Sequence, residues 1–252
     1  MKIFYRLIKK IPDVQKIIKK IKSADLEETL NSLFKKEEKL LLIDVGANTG
    51  QTIDFFYNTF PYSKIYSFEP TPELYQKLIT TYKSRNDLKI TNSALGSETS
   101  KANFYTTKFS PTNSLLKPNL VLYEKYNPEI NNVLSKQHII KVPVIRFDEW
   151  YKGNIKDQII DIFKTDTQGY DYNVLEGAGS ILSEKVKTII VEVQYQKFYQ
   201  NAEPFYKTIE LLYTAGFKIY NILSTSRINR VELLESDCIF INEKYIISEL
   251  KK

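Results

Sequence analysis

One cysteine, one histidine, one tryptophan and one methionine are all that the 252 residues contain of these types. A single thiol forms no internal disulfide, and with a single imidazole it falls short of the clustered ligands of a structural zinc site. Both scarcities fit a reducing compartment. Long apolar runs are missing as well: none approaches the roughly 20 residues of a membrane span. The N-terminus carries Lys and Arg throughout, where a secretory signal has an uncharged apolar stretch. The expectation is a cytoplasmic protein. Internal repeats and low-complexity tracts are absent too. With 42% hydrophobic and 26% charged residues, the chain has the composition of a globular domain, and collagen-like, mucin-like and disordered classes are excluded.

Charge is present but unevenly placed. The net charge of +6 is exceeded by residues 1–22 alone, where Lys2, Arg6, Lys9, Lys10, Lys16, Lys19, Lys20 and Lys22 face only Asp13. The rest of the chain is therefore close to neutral, which weakens nucleic acid as a partner for the whole. Within the arm, Ile3, Leu7, Ile8, Ile11, Val14, Ile17, Ile18 and Ile21 recur at three- and four-residue steps. That spacing predicts an amphipathic helix, divided near Pro12. A second helical stretch over 25–34, with Ser23 as N-cap, leads into the charged connector 35–39, and residues 1–39 are expected to form a helical arm ahead of a domain spanning 40–252.

From Leu40 onward, short apolar runs alternate with helix-length segments, the signature of an α/β fold with a mainly parallel sheet. Strands are expected at 40–45, 64–68, 89–92, 159–165, 188–193, 218–222 and 238–242. Helices are expected at 50–59, 72–82, 172–182 and 204–215, the last ended by Gly216. Residues 97–150 break the alternation and suggest an inserted lid or specificity element, with short strands at 102–105 and 139–145 around a polar loop at 110–114.

Asp44, Gly46, Asn48 and Gly50 fall in the stretch DVGANTG between the first strand and the first helix of the domain. A glycine turn there lets backbone approach a ligand closely, beside the unpaired N–H groups of a helix N-terminus. The stretch lacks the Gly-Lys-Ser/Thr of a phosphate loop and the G-x-G-x-x-G of a dinucleotide site. Glu69, fixed by Pro70 after the second strand, is placed to accept both hydroxyls of a ribose. A nucleoside ligand follows from the pair, without its identity.

With IDVGANTG at 43–50, SFEP at 67–70, NSALG at 92–96, IDIFKTDTQG at 160–169, VLEGA at 174–178 and IVE at 190–192, the sequence resembles the FkbM family of S-adenosylmethionine-dependent methyltransferases. The resemblance runs in order over residues 40–245 and leaves out the arm. It implies a seven-stranded, mainly parallel Rossmann-like sheet with helices on both faces and S-adenosyl-L-methionine as cofactor. By position, Asp44, Gly46, Asn48 and Gly50 would surround the methionine part, Glu69 the ribose, and Asn92, Ser93 and Ala94 the adenine. Gln168 departs from the family's frequent Asp-x-Glu-Gly and removes a carboxylate.

A hydroxyl acceptor must lose its proton to accept a methyl group. Lys164, Asp166 and Glu192, at the carboxyl ends of strands four and five, are the candidates: Asp166 as base, with Lys164 and Glu192 orienting it or the substrate and no metal. A Lys164–Glu192 ion pair is the structural alternative. His138 is expected in an exposed loop. Tyr123, Tyr126, Trp150, Tyr195 and Tyr199 as a group favour a carbohydrate-like acceptor, since aromatic faces stack on sugars. The leading function is thus O-methylation of a small molecule or glycan, with the arm on the inner face of an anionic membrane as an accompanying expectation. A nucleic-acid methyltransferase using the arm, and a cofactor-binding module without catalysis, are the alternatives.

Overall fold

The computed structural model describes residues 25–126, 128–228 and 231–245. The expected arm helix over 1–22 and its cap Ser23 lie outside them. Residues 25–31 form helix α1, with Leu30 and Phe34 buried beside Leu40, Ile53, Phe56 and Phe60. This stretch therefore packs on the body of the fold, and the connector 35–39 does not set it apart.

The central sheet is built from β1 (Leu41–Val45), β2 (Lys64–Phe68), β3 (Leu88–Thr91), β7 (Ile160–Thr165), β8 (Val186–Gln194), β9 (Phe217–Ile228) and β10 (Glu232–Asn242). Their order is β3-β2-β1-β7-β8-β10-β9. All neighbours are parallel except β10, which runs antiparallel to both β8 and β9. The reversal of strand order lies between β1 and β7, where a crevice opens at the carboxyl ends. Helices α2 (Gln51–Thr59), α3 (Pro72–Thr81) and α9 (Phe205–Thr214) follow the predicted segments closely.

Alternation along β1 creates the two cores. Leu41, Ile43 and Val45 join Phe68, Phe163 and Val191 on one face. Leu42 joins Ile53, Phe56, Ile162 and Ile190 on the other. Both faces are covered, which is why the central strands read as mainly apolar runs rather than as alternating ones.

The 97–150 segment holds more structure than the sequence suggests. β5 (Ser100–Thr106) and β6 (His138–Ile145) pair antiparallel, and the two-residue β4 (Ala94–Leu95) adds in parallel to form a small second sheet. Between β5 and β6 lie a 3-10 turn at Ser110–Thr112 and helices α4 (Leu120–Tyr126) and α5 (Pro128–Leu134). Helix α6 (Phe147–Asn154) belongs to the main core through Phe147 and Tyr151. His138 opens β6 and is exposed.

The helix expected over 172–182 is two helices, α7 (Asp171–Glu176) and α8 (Ser180–Lys185). Gly177 and Gly179 separate them for a steric reason. A Cβ at Gly177 would stand 2.0 Å from the carbonyl oxygen of Gly96, and Gly179 holds φ +52. The backbone after β4 and the end of α7 cross here with no space for a side chain.

Candidate active site

Strand register assembles the site. Asp44 lies opposite Ser67 on β2 and opposite Lys164 on β7. These three side chains form a row on one face, next to the carboxyl edge of the sheet. Asp44 is fully buried, receives a hydrogen bond of 2.7 Å from Ser67 Oγ, and has Oδ1 3.8 Å from Lys164 Nζ. Burial pushes its carboxyl up, against the pull of Lys164 and Ser67. Lys164 loses solvation too, but Asp166, Asp44, Asp237 and Asp171 outweigh that loss and hold its ammonium above the usual lysine value. Lys164 is therefore a cation, paired with Asp166 at 3.5 Å and Asp44 at 3.8 Å. The Lys164–Glu192 pair, the structural alternative, is not among the ion pairs of the described residues. Lys164 sits opposite Ile190, which leaves Glu192 two residues further along β8, while Asp44 is its immediate neighbour.

A cavity of about 290 Å³ opens above this row. Gly46, Asn48, Glu69, Ser93 and Ala94 line it, together with Lys164, Asp166, Gln168 and Glu192. Gly46 has φ +88, and a Cβ there would meet the carbonyl oxygen of Asp166 at 2.3 Å, so the turn after β1 lies directly against the loop after β7. Asn48 adopts φ 49 and donates its backbone N–H to Glu69 Oε2 at 2.7 Å. Thr71 N–H donates to Glu69 Oε1 at 2.8 Å. Burial raises the carboxyl's proton affinity and these N–H groups lower it again. Each oxygen keeps a further lone pair, the acceptor pattern that a pair of vicinal hydroxyls needs.

Asp44, Gly50 and Asn92 stand outside the cavity lining. Asp44 is the buried partner of Lys164. Gly50 caps α2 at φ +91 with Tyr82 packed where its side chain would be. Asn92 Nδ2 donates to the carbonyls of Glu69 at 2.9 Å and Pro70 at 3.2 Å, so it shapes the turn that presents Glu69.

Sequence reasoning missed how the acidic end of the cavity is organised. Gln168 Nε2 donates to Asp166 Oδ1 at 3.0 Å and to Glu192 Oε2 at 3.2 Å. Gln194 Nε2 adds a bond of 2.9 Å to the same Glu192 oxygen. Glu192 also lies opposite Asp237 on β10. Burial, Asp166, Glu235, Asp171 and Asp237 together push its carboxyl well above the usual range. Asp171, beneath this loop, accepts from Thr165 Oγ1 and Thr167 N–H, and burial pushes it up to about 6.

The inserted segment covers the cavity. Ser110 Oγ donates to Asn48 Oδ1 at 2.8 Å, Ser114 Oγ to the Gln168 carbonyl at 2.8 Å, and Tyr199 hydroxyl to the Thr112 carbonyl at 3.0 Å. Of the aromatic group, Tyr123, Tyr126 and Tyr199 are buried in a separate cluster with Phe198. Trp150 packs on Phe68 and Phe147. Tyr195 alone of the five lies near exposed rings, 5.3 Å from Phe205. Among the described residues, no group of three His, Cys, Asp or Glu side chains is placed to hold a metal ion.

Gly46 at the crossing of two loops, the buried Glu69 with spare acceptor capacity, and Ser93 and Ala94 at the far wall fit a nucleoside cofactor. The Methyltransferase FkbM domain model matches residues 44–219. No curated protein matches the sequence. Among solved structures, the Methanococcus jannaschii fibrillarin pre-rRNA processing protein superposes with a TM-score of 0.49 at 12% identity, over 83% of this chain and 69% of that one. Magnesium protoporphyrin IX methyltransferase from Synechocystis, with bound S-adenosylmethionine, gives 0.48 at 10% identity over 94% and 89%. Precorrin-6y C5,15-methyltransferase from Geobacter metallireducens gives 0.43 at 11% over 86% of each chain. The chain belongs to the FkbM methyltransferase family, and its cofactor is S-adenosyl-L-methionine.

Proposed function

We propose that the protein transfers the methyl group to a hydroxyl of a sugar, glycan or related polyhydroxylated small molecule, with Glu192 taking the hydroxyl proton. Bound at this site, the cofactor supplies an activated methyl group on a sulfonium. Gly46, Asn48, Glu69, Ser93 and Ala94 would hold it, with Glu69 on the ribose. The carrying observation is the position of Glu192, which lines the cofactor cavity and also an adjoining recess with Gly169, Tyr172, Lys197, Glu203 and Phe205. Aromatic and charged groups side by side suit an acceptor with both a carbon face and hydroxyls.

Besides Glu69, two carboxylates line the cavity, and their surroundings give them different tasks. Asp166 has Oδ1 on Gln168 and Oδ2 on Lys164, so both of its oxygens are engaged in orienting these partners. Glu192 has both amides on Oε2, no described group donates to Oε1, and its raised proton affinity favours taking a proton. Glu192→Gln is expected to lose roughly 100-fold or more of methyl transfer while keeping S-adenosylhomocysteine affinity within a few fold. Asp166→Asn is expected to lose less; the opposite ranking would make Asp166 the base, and near wild-type turnover in both variants would reject carboxylate catalysis.

Incubation with labelled S-adenosylmethionine and separated glycans, glycolipids and nucleic acids tests the acceptor class. Label in nucleic acid, with a steep salt dependence of binding, would reject the sugar reading. Chelators are expected to leave turnover unchanged. Loss restored by Mg2+ or Mn2+ would instead assign hydroxyl activation to a cation.

A further inference from the structure

We propose that Gln168 is a positioning residue: its neutral amide donates at once to Asp166 and Glu192, so that Glu192 turns its other oxygen, Oε1, to the acceptor hydroxyl. The proposal rests on the reading of Glu192 as base and extends it to the group that orients that base.

The backbone is bent to bring this amide into place. Gln168 has φ +55, unusual for a residue with a side chain, and Gly169 follows at φ +86. Two successive left-handed residues fold the side chain of 168 back over Asp166. The lid supports this conformation, since Ser114 Oγ donates to the Gln168 carbonyl. The carboxylate oxygens fix which end of the amide faces them, because they accept and only Nε2 can donate. Oε1 then faces Tyr199, whose hydroxyl lies 3.1 Å from it and 3.0 Å from the Thr112 carbonyl and shares its one proton between the two. Nε2 then has one N–H for each carboxylate, at 3.0 and 3.2 Å.

A glutamate at 168 would replace the two donors by a third acceptor, and the carboxylates would have to share a proton. An apolar residue would leave both without the amide. The groups around Glu192 are Lys164 and Asp166 from β7 and its following loop, Asp171 from α7, Glu235 and Asp237 from β10, and Tyr123 and Tyr199 from the cluster under the lid. Most of the ionisable groups in this set are acidic, so the N–H donors of Gln168 and Gln194 are the neutral means of keeping Glu192 ionisable.

The test is a carbon-13 NMR titration of the full chain, labelled at glutamate carboxyls and saturated with S-adenosylhomocysteine, with the Glu192 signal assigned by its loss in Glu192→Gln. Gln168→Leu is expected to raise the Glu192 midpoint by about one pH unit or more, and Gln168→Glu by more than Gln168→Leu. Gln168→Asn keeps an amide and tolerates left-handed backbone, but its shorter reach predicts a smaller rise. A midpoint unmoved in variants that bind S-adenosylhomocysteine would overturn the proposal. Should Gln168→Leu fail to fold, Gln168→Asn and Gln168→Glu decide by the same criterion. Full turnover in Glu192→Gln sinks the base reading separately, whatever the titration gives.

Discussion

Glu69 is a carboxylate only 4% exposed, with a backbone N–H on each oxygen. Its removal orphans the N–H groups of Asn48 and Thr71 and, on the proposed reading, withdraws two acceptor sites from the cofactor. Glu69→Ala is expected to lose on the order of 1.5–3 kcal/mol of S-adenosylhomocysteine binding; calorimetry giving equal affinities would remove Glu69 from the ribose. Asp171 makes a different prediction. Its carboxyl rises from 3.8 to about 6 on folding, so the folded chain binds this proton more tightly than the unfolded one. Stability from this group is full below about pH 4 and is lost as pH rises through about 6. Asp171→Asn should therefore gain on wild type across that interval, by on the order of 3 kcal/mol, in urea unfolding at either end. A difference that stays constant with pH would refute it. Glu69 and Gly46 were legible as positions lining the cavity because they follow a strand end and a turn. The partner of Lys164 required the register with β1, and the link from Gln168 to Tyr199 joins residues that no local pattern connects.

At the scale of elements, the parallel strands were readable because burial on both faces leaves short, mainly apolar runs at 41–45, 64–68 and 160–165, interrupted by few polar residues. Helix α6 was not. Phe147, Trp150 and Tyr151 supply its buried contacts, but its mean hydropathy is low and it follows directly on β6. The break between α7 and α8 was hidden because Gly177 answers to Gly96, far away in sequence. Gly177→Ala is expected to destabilise by roughly 1–3 kcal/mol, the cost of overpacking, and unchanged thermal unfolding would show that the crossing yields. The lid depends on a few polar bonds. Tyr199→Phe removes the hydroxyl shared by the Thr112 carbonyl and Gln168 Oε1, and is expected to cost about 1 kcal/mol and to speed protease cleavage within 107–118. Cleavage at the wild-type rate would mean that Ser110 and Ser114 suffice to hold the segment.

For the whole molecule, the separation of charge predicts a separation of tasks. Deleting residues 1–22 is expected to leave S-adenosylhomocysteine affinity unchanged, since Leu30 and Phe34 remain to seal the core, and to abolish sedimentation with anionic vesicles. Unchanged sedimentation would reject the membrane role of the arm. No described helix is long and apolar enough to cross a membrane. The strand order carries a further consequence. Leu42 pairs with Ile162, so the two strands that frame the cofactor crevice are made far apart in time. While the ribosome is still extending the chain through the inserted segment, β1, β2 and β3 can pair in sequence, but the inner edge of β1 has no partner. That bare edge is the exposure to aggregation typical of long-range parallel pairing. The residues proposed to hold the cofactor are all made before β7, but their crevice lacks its second wall until β7 arrives, so cofactor rewards the finished protein by mass action more than it guides the early half of its synthesis.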